Sequence, residues 1–176
     1  EDRSIQVRSW VAATLISILR HNEDYAVDLF HKLCDTKDIL LSTHYVEIFL
    51  KYALENHFLK LKSILAKMIK SQESEVVKVG ARQICLASLN VEEARPIMES
   101  CLVGTDDQRI GAVEVFSANI AICPDFCKNR LIKFFFDSNK QVREHAASCF
   151  RNLAEENLSD FCDLIDEFIK SQKSDR

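Results

Sequence analysis

Glycine and proline are scarce: the 176 residues hold 3 Gly and 2 Pro. An all-β fold needs many tight turns, so this scarcity argues against sandwiches and barrels. With glycine only at Gly80, Gly104 and Gly111, the chain has no Gly-rich loop to cradle a phosphate. It has no P-loop, G-x-G-x-x-G, H-E-x-x-H or G-x-S-x-G pattern either. No apolar run reaches ~18 residues, the length of a membrane-spanning helix. Positive charge is not in excess: 23 Lys and Arg stand against 27 Asp and Glu, a net charge of −4. A general nucleic-acid binder is usually basic, so this balance disfavours one. The start, Glu1-Asp2-Arg3-Ser4, is polar and carries no signal-peptide pattern. The 7 cysteines are odd in number and scattered. Most fall on apolar helical stripes, where a free thiol behaves as a small hydrophobe; this suits a reducing compartment, the cytoplasm or the nucleus.

What the chain does have is helical periodicity, and it repeats. In the stretch Asp137–Leu153, the residues Val142, Ala146, Cys149, Phe150 and Leu153 form one apolar stripe behind a turn-rich Asp-Ser-Asn. The same Asp, Gln, Val and Arg recur at Asp2, Gln6, Val7 and Arg8, 135 residues earlier, a distance that divides into four units of about 34 residues. Lys78-Val-Gly-Ala81 and Arg109-Ile-Gly-Ala112 match at an offset of 31. Aligning the anchors Arg8, Lys78, Arg109 and Arg143 puts Val11, Ala81, Ala112 and Ala146 three residues after each.

This register predicts five helix pairs: 4–20 with 23–34, 43–55 with 57–70, 74–89 with 91–103, 106–121 with 124–136, and 140–154 with 159–170. The second pair lacks the Val-Arg anchor. Pro124 suits a first helical position. Asn90-x-x-Glu93 has the form of a capping box. Pro96 is compatible with a helix start near Arg95 or with one at Val91 and a kink. Gly80 and Gly111 each cost ~1 kcal/mol relative to Ala in a helix, and their matching positions predict close helix approach.

The D-x-x-x-x-V-R-x-x-A arrangement resembles the first helix of a HEAT repeat. Ala94-Arg-Pro-Ile-Met98 resembles the opening of a HEAT second helix, and the resemblance implies the later start, near Arg95. The resemblance implies an all-α fold: one HEAT/armadillo-like α-solenoid over residues 1–176, a right-handed stack of antiparallel pairs. Ile69-Lys-Ser-Gln-Glu-Ser-Glu75 and Ile169-Lys-Ser-Gln-Lys-Ser-Asp175 share one pattern. The first leads into a new pair, so the second predicts a further one, and the chain is expected to be a segment of a longer protein.

Candidates for chemistry are few. Cys123 and Cys127 stand four apart at a helix start, a possible half of a zinc site. Four ligands are normally required, and no second Cys/His pair lies near. The alternative is a buried Cys127 with Cys123 in the preceding loop. His145 and Cys149, also four apart, could form a nucleophile pair, but Cys149 lies on the core stripe. Trp10 follows core spacing with Val7, Val11, Thr14 and Leu15, and Phe134-Phe-Phe136 reads as a buried helix or a binding patch. Neither a catalytic site nor a cofactor is expected.

The resemblance implies a non-catalytic protein-interaction scaffold whose partner is another protein or protein segment, besides flanking repeats of its own chain. The alternatives are a nucleic-acid-binding HEAT-like solenoid, or a regulatory repeat tail of a larger ATPase or kinase. Two faces are candidates for the partner. Over 59–70, Leu61, Ile64, Leu65 and Met68 point to the core and leave Lys60, Ser63, Lys67 and Lys70 opposite, with Lys62 beside them. Over 159–170, Phe161, Leu164, Ile165 and Phe168 point inward and leave Asp160, Asp163 and Glu167 opposite. Both segments are second helices, which line the concave side of HEAT-like stacks. The expectation is a charge-polarised groove that orients an elongated partner; the alternative is two solvated faces.

Overall fold

The computed structural model describes residues 4–35 and 38–174. Helix occupies 83% of these, and there is no strand among them. Asp2 and Arg3 of the first repeat copy, and Asp175 at the end of the second I-K-S-Q copy, lie outside the described residues. The chain divides into two compact units, residues 1–111 and 112–176.

The first unit holds α1 (Ile5–Leu19), α2 (Glu23–Cys34), α3 (His44–Met68), α4 (Ser74–Ala87) and α5 (Arg95–Leu102). The unit boundary falls inside α6 (Asp106–Asn119). Helix α1 packs on α2 and α3, α2 on α3, α3 on α4, and α4 on α5. The core centres on Phe30 of α2 and Phe49 of α3, fully buried and stacked with centroids 4.0 Å apart. Leu40 and Leu41, in the 3-10 turn Asp38–Ser42, are buried with them.

The helix starts follow local chemistry. Asn22 accepts a hydrogen bond from the Tyr25 backbone N–H, and Glu23 and Asp24 occupy the first turn of α2, where the helix dipole favours acids. Pro96 sits in the first turn of α5, as predicted, after a 3-10 turn Glu92–Ala94. The capping box at Asn90 does not form: that turn is entered at Val91, with no side-chain cap.

Both glycines stand at close approaches. A Cβ on Gly80 would lie 2.7 Å from the Met68 Cβ, and one on Gly111 would collide with the Lys78 carbonyl oxygen. Of the apolar residues three after the anchors, Ala81, Ala112 and Ala146 are fully buried, whereas Val11 is 42% exposed.

One expectation in this unit is refined and one is corrected. The second pair is present as two helical stretches of α3 that meet at a kink where the sequence places the break: His57 leaves helical geometry (φ −125°, ψ 25°), and no loop separates the two stretches. Trp10 is not core: it is 64% exposed and packs on Tyr45, with ring centroids 5.3 Å apart. Val7, Val11 and Thr14 are exposed beside it. Helix α1 is apolar on nearly every side, so two stripes compete, and the contacts with α2 and α3 bury Ala12, Leu15 and Leu19 instead.

The second unit holds α7 (Pro124–Phe135), α8 (Lys140–Ala147) and α9 (Cys162–Ser174), with α7 packed on α8 and α9. In the last pair the first helix is shorter than the predicted 140–154, and the second starts and ends later than the predicted 159–170. α8 passes into a 3-10 segment at Ser148–Asn152, and α9 is preceded by another at Glu155–Phe161. Asn139 caps α8 by accepting from Gln141 N and Val142 N. Phe134 and Phe135 are buried, while Phe136 is 48% exposed, so the triple-Phe run is mainly core. Phe135, Phe150 and Phe168 form a three-ring cluster with centroids 5.2–5.9 Å apart. Phe150 and Phe168 are only half-buried members of it, and Ile165 is half-buried too.

Candidate protein-binding surface

The second half of α3 sorts its residues as the sequence predicts. Leu61, Ile64, Leu65 and Met68 are buried, and Lys60, Lys62, Ser63, Lys67 and Lys70 are exposed. The lysines are not equivalent. Lys60 Nζ donates to Asp24 Oδ1 at 2.6 Å across the α2–α3 contact. The hydrogen bond, reinforced by the opposite charges, holds the Asp24 carboxyl below its ordinary range and raises the Lys60 ammonium.

Beside this pair, His57 Nε2 donates to Glu23 Oε2 at 2.9 Å, and Asn56 Nδ2 donates to the same oxygen at 3.2 Å. His57 Nδ1 lies 3.8 Å from Asp24 Oδ1, and the imidazole side chain is only 12% exposed. The bend in α3 thus coincides with a polar clasp onto the first turn of α2. About two turns further along α2, His31 Nε2 donates to the Lys60 carbonyl at 2.8 Å. Lys67 lies on a shallow cleft between the last turn of α2 and α3.

The acidic face of the second unit is likewise partly paired. Lys128 Nζ donates to Asp163 Oδ1 at 3.0 Å and to the Asp160 carbonyl at 2.9 Å, and it lies over the Phe161 ring. Its hydrogen bond lowers the Asp163 carboxyl. Lys170 Nζ donates to Glu167 at 2.7 Å, which raises the ammonium. Asp160 is exposed. The lysine and acid faces fall in different units.

The other candidate sites are built for packing. Cys127 and Cys149 are fully buried, and desolvation pushes both thiols up to about 12, far from the thiolate that metal binding or nucleophilic attack needs. Cys123 is half-buried at the N-cap of α7. No group of three His, Cys, Asp or Glu could hold a metal ion among the described residues. His145 Nε2 lies 3.9 Å from Glu114 Oε1, and its carbonyl accepts from Ser117 Oγ at 2.7 Å.

The anchor arginines have structural partners. Arg143 Nη1 donates to the Asp137 and Ser138 carbonyls at 2.7 and 3.1 Å. Arg109 makes the equivalent contact with the Gly104 carbonyl at 2.6 Å and also reaches Asp106.

Sequence reasoning missed the clasp and the Lys128 bridge. Glu23 and Asp24 stand in the first turn of α2, and their partners lie a full repeat away in the sequence. Among the described residues, no helix is long and apolar enough to cross a membrane. No family model, curated protein or solved structure matches the chain.

Proposed function

We propose that this chain is a stack of HEAT-like helix pairs acting as a non-catalytic protein-interaction scaffold, with a protein segment bound along exposed faces of its second helices. The observation that carries this reading is the second half of α3. It buries an unbroken stripe and presents Lys62, Ser63, Lys67 and Lys70 on the opposite side.

Two further features support the repeat. Arg109 and Arg143, 34 residues apart, fold back onto carbonyls of the turn before their helices. Gly80 and Gly111 occupy matched positions at helix crossings. Five buried cysteines, Cys34, Cys85, Cys101, Cys127 and Cys149, act as packing residues, which suits the cytoplasm or nucleus. Lys60 has a smaller part than its position suggests, because Asp24 already holds it.

Amine-reactive cross-linking in a cell extract, read by mass spectrometry, tests the proposal. Links to a recurring protein should concentrate on Lys62, Lys67 and Lys70. An even spread over the exposed lysines of the chain would contradict it.

A further inference from the structure

Charge is distributed unevenly along the α2–α3 groove. At the start of α2, Glu23 and Asp24 are engaged by His57 and Lys60. At the other end of the same groove, the chain gathers cations. A shallow cleft of about 490 Å³ is lined there by His31, Lys32, Cys34, Asp35, Ile64 and Lys67, with Ser63 beside them. Arg8 of α1 closes this end: its Nη2 donates to the Leu33 carbonyl at 2.9 Å, and its Nε is buried with no hydrogen-bond partner. The charges of Lys67 and Arg8 both oppose the rise that burial imposes on the Cys34 thiol, which lines the cleft.

The His31 tautomer adds a polar atom to the same place. A carbonyl only accepts, so Nε2 carries the proton donated to Lys60 O, and in the neutral ring Nδ1 is an acceptor, suited to a backbone N–H of a bound peptide and not to its carboxylates. Lys32 and Lys67 bring two fixed positive charges to the cleft, with Arg8 nearby at the Leu33 carbonyl, and Asp35 is the one acid among the described lining residues.

We propose that this basic end of the α2–α3 groove is a binding site for a short acidic peptide segment of a protein partner. The proposal rests on the scaffold reading and adds to it residues of α1 and α2. A short segment fits better than an extended polyanion. Asp28 is exposed on α2 one turn before His31, and Asp24 lies beyond it, so a long phosphate backbone would meet acids as it ran on. The buried edge of Ile64 and Cys34 offers an apolar floor between the cations, suited to one apolar side chain among carboxylates. The groove sets a direction: the partner's acids lie toward the end of α2, and its less acidic portion lies toward the clasp. Such a contact acts through steering and charge-assisted hydrogen bonds and weakens with salt.

The test uses the full chain and a fluorescein-labelled nonapeptide, four glutamates on either side of one leucine, read by fluorescence anisotropy in low salt. Lys32→Glu with Lys67→Glu should weaken binding about tenfold or more. Lys133→Glu with Lys140→Glu, which changes net charge equally on the second unit, should leave it within about twofold. Circular dichroism melting confirms that both variants fold. Equal loss in the two double variants, absence of peptide binding by the wild type, or equally tight binding of a labelled single-stranded oligonucleotide would overturn the proposal. The scaffold reading is tested apart from it: a cross-linked partner that the Lys32→Glu, Lys67→Glu variant still captures in full would leave the scaffold standing and remove the cleft.

Discussion

Lys60 Nζ lies 2.6 Å from Asp24 Oδ1, and this contact ties the lysine-rich half of α3 to the first turn of α2. Asp24's folded carboxyl is depressed, so its contribution to stability is present above its unfolded value and is lost as pH falls through the folded one. Lys60 is raised, so its contribution is present below its unfolded value and is lost as pH rises through the folded one. The pair therefore acts across the window between the two ordinary values, 3.8 and 10.5. NMR titration should place the Asp24 carboxyl below 3.8 in the wild type and return it toward that value in Lys60→Met. An unchanged titration in the variant would show that Lys60 is not the cause.

Gly111→Ala sets helix propensity against packing. Ala gains ~1 kcal/mol in a helix interior. The added Cβ collides with the Lys78 carbonyl and sits 3.1 Å from both the Ala81 Cβ and the Arg82 N, so α6 and α4 must part. Overpacking of this kind costs about 1–3 kcal/mol. Urea denaturation should show a net loss of stability, and a gain would mean that the helices separate freely.

The three-ring cluster ranks two substitutions. Phe135 is 1% exposed and Phe150 only half-buried. Phe135→Ala should cost about 3–5 kcal/mol and Phe150→Ala about 2 kcal/mol, because the partly exposed ring loses less on truncation. The reverse order in denaturant midpoints would contradict the packing described.

Arg143→Ala removes two carbonyl contacts at the start of α8. A loss of roughly 1–2 kcal/mol is expected for a part-buried charged donor. Lys should restore little of it, since one ammonium on a flexible stem replaces the planar fork poorly. Full rescue by Lys would show that charge alone matters.

Helix starts were the most legible part of this fold, because caps and prolines mark them locally. Glu23, Ser74, Asp106, Pro124 and Lys140 all open helices where the sequence puts them. The roles of Arg143, Gly80 and Gly111 were legible from their repetition. The inward face of α1 was not. Its residues are apolar on both sides, and only the contacts with α2 and α3 choose Leu15 over Trp10. The 3-10 endings of the last pair were hidden too, since Val142, Cys149 and Phe150 read as one α-helical stripe although the turns tighten after Ala147. For the candidate surface, periodicity separated core from lysine on α3. It could not show that Asp24 holds Lys60, or that Lys67 stands with Lys32 and His31, because these groups meet only once the helices pack.

The most direct measurement is the association rate of the cross-linked partner with wild type and with a Lys62→Glu, Lys67→Glu, Lys70→Glu variant, followed by stopped flow at low and high salt. An interaction scaffold steered by the lysine face predicts association about tenfold slower for the variant in low salt, with the difference closing as salt rises. Equal rates for the two proteins in low salt would contradict the account.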